Sequence, residues 1–476
     1  MGIKKNFIYN SILTLSQYII GLITFPYISR VLGVSNIGIV SFIDNSINYF
    51  ILFSTMGVGI IGAREIAKYK QNKCKLNSVF SSLLSLSMIY TGIVLVLFLL
   101  AVLFIPQFHN YKYLFFIGSA KLIFSAFLIE WFYRGIEDFK YIAFRNIAIK
   151  IAYACAIFIF VNEKEDYTIY FVLTIGTVII NAVINSFHAR KFVDFNTQSI
   201  FLKPYFKQSL WLGSYAILTS MYTTFNVMYL GFATDTIQVG YYWAALKIYT
   251  IILGFFTAFT AVMSPRMSSL LSQGDEESFK IMINKSLRIL FTICFPLIIA
   301  SVMFSKEIIL ILCGNGYDGA VLPMQIIMPL ILVVGVAQIL AIQVLIPLQK
   351  DKLILNASII GASSGILLNL LIVKLYGSIG TSFVLVFSEL LVTSYYIYKV
   401  RKNKIIDLNW KPLAQNIVYS IPYIIICTSA KYIFDNEFSI IGFSFVLSGV
   451  YFVLIELFVL KNTKLNNIIK SKISSK

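Results

Sequence analysis

Residues 7–28 read FIYNSILTLSQYIIGLITFPYI, and residues 206–231 read FKQSLWLGSYAILTSMYTTFNVMYLG. In the first stretch Asn10, Thr14, Gln17, Gly21 and Thr24 recur at spacings of 4, 3, 4 and 3, which stacks them on one face of an otherwise apolar helix. In the second, Ser209, Gly213, Ala216, Ser220 and Thr223 repeat those spacings 199 residues later. Each stretch ends near a Leu-Gly pair, Leu32-Gly33 and Leu230-Gly231. Small and polar residues so spaced also serve simply to let helices pack closely. Agreement over five positions and a following dipeptide points instead to a duplicated chain.

Working outward, such stretches fill the sequence. Of 476 residues, 58% are hydrophobic and 13% charged, and the mean hydropathy is +0.83. Soluble domains carry about 25% charged residues, so the composition predicts an all-α integral membrane protein. A crossing helix needs about 20 apolar residues. Fourteen such segments are expected, numbered here in chain order: 7–28, 37–63, 79–105, 112–133, 141–161, 167–187, 206–231, 237–263, 286–304, 320–346, 353–375, 378–398, 413–434 and 438–460. Segment 1 follows Lys4 and Lys5 but is too long for a signal-peptide core, and no small-residue cleavage site follows it. It is expected to be retained.

The net charge of +18 does not imply nucleic acid, because the basic residues sit between hydrophobic segments and form no soluble basic face. With both termini cytoplasmic, the inward loops collect about 30 Lys and Arg and the outward loops six, a strong positive-inside asymmetry. The outward loops are short, and the longest, near residues 305–319, is too small for a catalytic domain. The five cysteines are scattered, with neither a disulfide framework nor metal-ligand spacing. His109 and His188 are isolated near helix ends, where a solvated interfacial role is expected. No Walker loop is present, and no cofactor is expected beyond a coupling proton or sodium ion.

The duplication divides the chain into residues 1–195 (segments 1–6), 196–402 (segments 7–12) and 403–476 (segments 13 and 14 and a cytoplasmic tail), that is, two pseudo-symmetric six-helix lobes plus two extra helices. Internal repeats of this kind underlie alternating-access carriers. Segment 2 has the most polar stripe: Ser41, Asp44, Asn45, Asn48 and Thr55. Segment 8 carries Trp243, Lys247, Thr250, Gly254 and Thr257. Matching Gly38 to Gly240 brings Asp44 within a residue of the position equivalent to Lys247, so the two are expected to face each other across a central cavity.

Lys121, Lys150 and Lys247 lie deep in apolar segments, where a bare ammonium costs roughly 3 kcal/mol. The deep acids are Asp44 and Glu389, so charge pairing, for example Lys150 with Glu389, leaves positive charge over. Arg30 and Arg64 near segment 2 add to it. A residual positive interior fits an anionic cargo. Gln17, Asn45 and Asn48 would hydrogen-bond its polar head, and Asp44 or Glu389 would either bind a coupling cation or neutralise a lysine.

The stretch Pro26-Tyr27-Ile28-Ser29-Arg30-Val31-Leu32-Gly33, then Gly38, then Gly62-Ala63-Arg64-Glu65-Ile66-Ala67, resembles the N-terminal signature of Wzx-type flippases of the MOP superfamily. Glu130-Trp131-Phe132-Tyr133-Arg134-Gly135-Ile136-Glu137 is similar to the family as well. The resemblance implies a two-lobed carrier in the bacterial cytoplasmic (inner) membrane. Its cargo would be an undecaprenyl-pyrophosphate-linked O-antigen or capsular repeat unit, moved from the cytoplasmic to the outer leaflet. It also implies a cationic lumen, a tail left in the lipid bilayer, and polysaccharide polymerase and chain-length machinery as expected partners. Rival readings are a MATE-like cation-coupled exporter and a MurJ-type lipid II flippase. A membrane polymerase or ligase is disfavoured for want of a large outward loop.

Overall fold

The computed structural model describes residues 3–195 and 200–455; for residues 3–15, 17, 18 and 215 it describes the backbone alone. Every regular element among them is helical, which is how a chain satisfies its backbone amides where lipid offers no partners. Ten helices are long and apolar enough to cross a membrane, or eleven when the bent pair Asp318–Ile327 and Leu330–Leu345 is taken as one. That is fewer than the fourteen expected, and the difference has structural causes. Ile19–Thr55 and Asp351–Lys402, of 37 and 52 residues, each hold two expected segments joined without a loop. Segment 7 breaks after Ser220 into helices Lys203–Ser220 and Thr224–Ala233.

Glycine makes the joins. Helix Ile3–Thr55 has 53 residues, about 80 Å at 1.5 Å per residue, against about 30 Å of hydrocarbon. It leaves helical geometry at Gly33, where φ is 72° and ψ 169°. A left-handed φ costs other residues roughly 1–2 kcal/mol and glycine almost nothing. Gly377, at φ 53° and ψ −130°, separates segments 11 and 12 in the same way. The 40° bend in segment 10 falls at Met328-Pro329, where proline removes a backbone donor. Starts of helices are capped by short polar side chains: Asn72 accepts from the Lys75 amide at 3.1 Å, Asp138 from Tyr141 at 3.2 Å, and Asp275 from Ser278 at 3.0 Å.

Side chains such as Val96, Leu97, Leu370, Leu371 and Phe445 stand exposed on the outside of the bundle. A band of this kind is a liability in water and an ordinary lipid-facing surface in a bilayer. The chain is a multi-pass membrane protein.

The two expected repeats meet along the broad contact between helices Ile3–Thr55 and Thr236–Ser272. At the end expected to face outward, a Cβ built on Gly38 would lie 1.7 Å from the Thr236 carbonyl oxygen, and one on Gly240 would lie 2.2 Å from that of Val34. At an offset of 202 residues Val34 corresponds to Thr236 and Gly38 to Gly240. Each repeat thus offers the other the same pair of backbone positions, the isologous contact of a two-fold dimer within one chain. At the end expected to face the cytoplasm Gly57 lies against Ser209, whose carbonyl oxygen would be 2.6 Å from a built Cβ, and Gly213 packs on Met56.

Candidate substrate cavity

Between these two seams lies a cavity of about 220 Å³ lined by segments 1, 5, 6 and 8. Two of the three deep lysines, Lys150 and Lys247, line it together. Both are half-buried, and neither has a carboxylate partner among the described residues. Polar and aromatic groups join them, namely Asn146, Asn181, three threonines, Tyr153, Tyr170 and Trp243, and Ile20, Ile28 and Ile149 complete the walls with Gly21 and Phe25. Trp243 is held by Phe25, with ring centroids 5.4 Å apart. Among the described residues no acidic side chain lines the cavity. Such a site presents two ammonium groups, hydrogen-bonding hydroxyls and amides, and flat rings for stacking.

Lys121 is placed differently. Its Nζ lies 2.5 Å from Asp44 Oδ1, and Asn48 Nδ2 donates to the other carboxylate oxygen at 3.0 Å. Asp44 is therefore the ion-pair partner of Lys121 on segment 4, whose helix Lys112–Ser125 packs directly on helix Ile3–Thr55; its charge also reaches Lys247, but without a salt bridge between the two. Asn45 turns back on its own helix, donating to the Ser41 carbonyl at 2.8 Å. Arg30, expected in the cavity, reaches instead to the Ile311 carbonyl in the second repeat. Beside it Tyr317 donates to the Ser29 carbonyl at 3.2 Å. Arg64 is likewise outside the cavity, exposed, donating to Gln208 at 3.1 Å and 3.7 Å from Glu65. Glu389 has no ion-pair partner among the described residues, and Lys150 is not beside it in a salt bridge. The Gln17 side chain lies outside the described residues.

A profile of the family described as "Polysaccharide biosynthesis protein" matches residues 3–271, more than half of the chain. The chain belongs to the polysaccharide biosynthesis protein family. It is similar to the "Putative O-antigen transporter" of Escherichia coli (strain K12), with 27% identity over 416 residues, 85% of this chain and 98% of that protein. The protein of the same description from Shigella dysenteriae is 25% identical over 406 residues, 84% of this chain and 100% of the relative. Among solved structures the chain shares the fold of the lipid II flippase MurJ in an inward closed conformation, with a TM-score of 0.77 at 15% identity over 94% of this chain and 98% of that one. An inward-facing MATE transporter of the MOP superfamily aligns with a TM-score of 0.59 at 12% identity over 83% and 95%.

Two features of this polysaccharide biosynthesis protein escaped the sequence reading. Tyr170, Thr174, Thr177 and Asn181 form one wall of the cavity, at spacings of 4, 3 and 4 that match the stripe read on segment 1; this signal was present on segment 6. Tyr153 and Thr174 share a hydrogen bond of 3.1 Å across that wall. The second is Arg145, counted above as a loop cation and in fact buried. It donates to Glu130 and to Asn146 Oδ1, each at 2.9 Å, and to Asn185 Oδ1. Asn185 in turn donates to the Leu128 carbonyl, and its own carbonyl accepts from Tyr133 at 2.6 Å. Since Asn146 also lines the cavity, this network fixes one polar group of the family member's site. His188 is not simply solvated either: its ring stacks on Tyr141 with centroids 3.8 Å apart.

Proposed function

We propose that the chain is a flippase carrying polyprenyl-pyrophosphate-linked oligosaccharide repeat units from the cytoplasmic to the outer leaflet of the bacterial inner membrane. The observation that carries this reading is the pair Lys150 and Lys247, brought to one cavity with no carboxylate in salt-bridge contact with either among the described residues. Two ammonium groups in a low-dielectric site need an anion, and a pyrophosphate supplies two or more negative charges at one place. Trp243, Tyr153 and Tyr170 offer faces for sugar rings, and the threonines and asparagines offer hydrogen bonds to hydroxyls. The tail stays in the bilayer. The relatives' description as O-antigen transporters agrees with this cargo.

The cavity's size bears on mechanism. Pockets for drug-sized ligands run to about 300–1,000 Å³, so 220 Å³ holds a phosphate-sized group and not an oligosaccharide. Loading requires the repeats to part, along the cytoplasmic seam at Gly57 and Gly213 for entry and along the Gly38 and Gly240 seam for release. No nucleotide is needed to drive this. Two negative charges leaving a cell with a potential of about 100 mV, negative inside, gain roughly 4.6 kcal/mol. Of the two acids considered for cation coupling, Asp44 is engaged by Lys121 and Asn48, which leaves Glu389 for a proton or sodium ion. A MATE-like exporter of cations fits poorly with two uncancelled lysines.

The test is transport in reconstituted vesicles with a fluorescent undecaprenyl-pyrophosphate oligosaccharide. Lys150→Ala and Lys247→Ala are each expected to slow it by about tenfold or more, the loss of at least 1.4 kcal/mol of anion contact. Unchanged rates in both variants remove the cavity from the mechanism. Lipid II offered in the same assay separates the cargo classes, since faster movement of lipid II assigns the chain to peptidoglycan precursors.

A further inference from the structure

A second concavity opens on the lipid-facing side of the bundle, apart from the cavity above, and encloses about 550 Å³. Leu86, Ile89 and Ile93 of helix Lys73–Phe104 form one wall, Phe206 of helix Lys203–Ser220 the other, and Lys203 and Lys207 sit with Phe206 on that same helix turn. Ile89, Ile93 and Phe206 are 46%, 57% and 48% exposed, so none of the described residues fills the groove. Among the described residues no acidic side chain lines it. Leu86, Ile89 and Ile93 run along one helical face at spacings of 3 and 4, while Lys203 and Lys207 stand one turn apart. Both lysines stand at the start of helix Lys203–Ser220, the end of segment 7 that the positive-inside asymmetry places in the cytoplasm.

We infer that this groove holds an anionic phospholipid of the cytoplasmic leaflet. Its acyl chain lies along Ile89 and Ile93, and its phosphate lies between the two ammonium groups, whose stems cover apolar surface while their heads reach the interface. An acidic peptide suits the site less well. At the depth of Ile93 its backbone amides would find no partners, whereas an acyl chain has no such groups. The groove also straddles a joint between the two repeats. At its back the Tyr90 hydroxyl and Ser209 Oγ are 2.7 Å apart, and Tyr90 is itself part of the lining. A lipid seated there touches both helices that must separate when the cytoplasmic seam opens, and so braces the closed joint.

The test reads lipid retention, not transport, and stands or falls apart from the identity of the cargo. The full chain is extracted from vesicles holding equal amounts of phosphatidylglycerol and phosphatidylcholine, and the lipid it retains is weighed by native mass spectrometry. Two juxtaposed lysines are expected to favour the anionic lipid by roughly tenfold or more. The double variant Lys203→Gln with Lys207→Gln, and separately the groove-filling Ile93→Trp, are expected to bring the ratio close to one while thermal unfolding stays that of the wild type. Equal retention of the two lipids by the wild type overturns the inference, as does a preference that survives both variants, because ordinary annular lipid would then explain it. Displacement of phosphatidylglycerol by an equimolar amount of undecaprenyl pyrophosphate also overturns it, and would make the groove part of the cargo's path.

Discussion

Three lysines of the same type and similar depth have two different fates, decided by one carboxylate. Asp44 lies 2.5 Å from Lys121 and leaves Lys150 and Lys247 to the cavity. The consequence is a pair of opposite expectations for stability. Lys121→Met strands Asp44 and is expected to destabilise the chain toward the lower end of about 3–5 kcal/mol, since the Asp44 side chain is 23% exposed. Adding Asp44→Leu to it is expected to restore most of the loss. Lys150→Met, by contrast, removes an uncancelled intramembrane charge and is expected to raise the thermal midpoint in the absence of cargo while slowing transport, the usual exchange of stability for function. Thermal unfolding in detergent measures all three, and a fall in midpoint for Lys150→Met would place a hidden partner beside it. The sequence identified these lysines by their depth alone. Which of them Asp44 would choose depended on helix Lys112–Ser125 packing against segment 2, a contact between residues 77 positions apart that no local pattern encodes. Arg145 was missed for the reverse reason: it lies near a helix end among solvated cations, and its burial follows from Glu130, Asn146 and Asn185 converging on it.

At the scale of elements, periodicity was the reliable guide and glycine the decisive residue. The stripes on segments 1 and 8 and the unread one on segment 6 all supply cavity walls, because a 4, 3, 4 spacing holds polar groups on one face wherever the helix is placed. Helix count was less legible, since hydropathy separates segments where loops occur, and Gly33 and Gly377 join theirs without one. The Gly38 seam can be tested directly. Gly38→Val puts side-chain atoms where the Thr236 carbonyl stands, so the outward seam is expected to stay open. In a chain lacking its five native cysteines, Ser35→Cys beside Thr236 is expected to react several-fold faster with an impermeant maleimide when Gly38→Val is present. An unchanged rate would mean that the seam closes around the added methyl groups.

For the whole molecule, the proposed function asks that the cavity between the two seams, set in a lipid-facing belt, serve a carrier that field and gradient would drive. An imposed potential of about 100 mV, negative on the side of loading, is expected to accelerate anion export, and one of opposite sign to slow it; vesicles with a potassium diffusion potential measure both. Insensitivity to sign would mean that the cargo crosses with its charge fully neutralised by bound cations. The repeat was expected from two apolar stretches, and the contact in which Val34, Gly38, Thr236 and Gly240 exchange places agrees with it. At its two closest points, Gly38 on the Thr236 carbonyl and Gly240 on that of Val34, this seam is backbone against backbone, with the Val34 side chain alongside. Closing it freezes few rotamers, so little of the conformational entropy that ordinarily opposes docking is lost, and opening it waits on no rotamer to unlock. A joint made of bare backbone is in this sense a low-friction bearing, suited to a machine that must cycle often and rest in neither state for long.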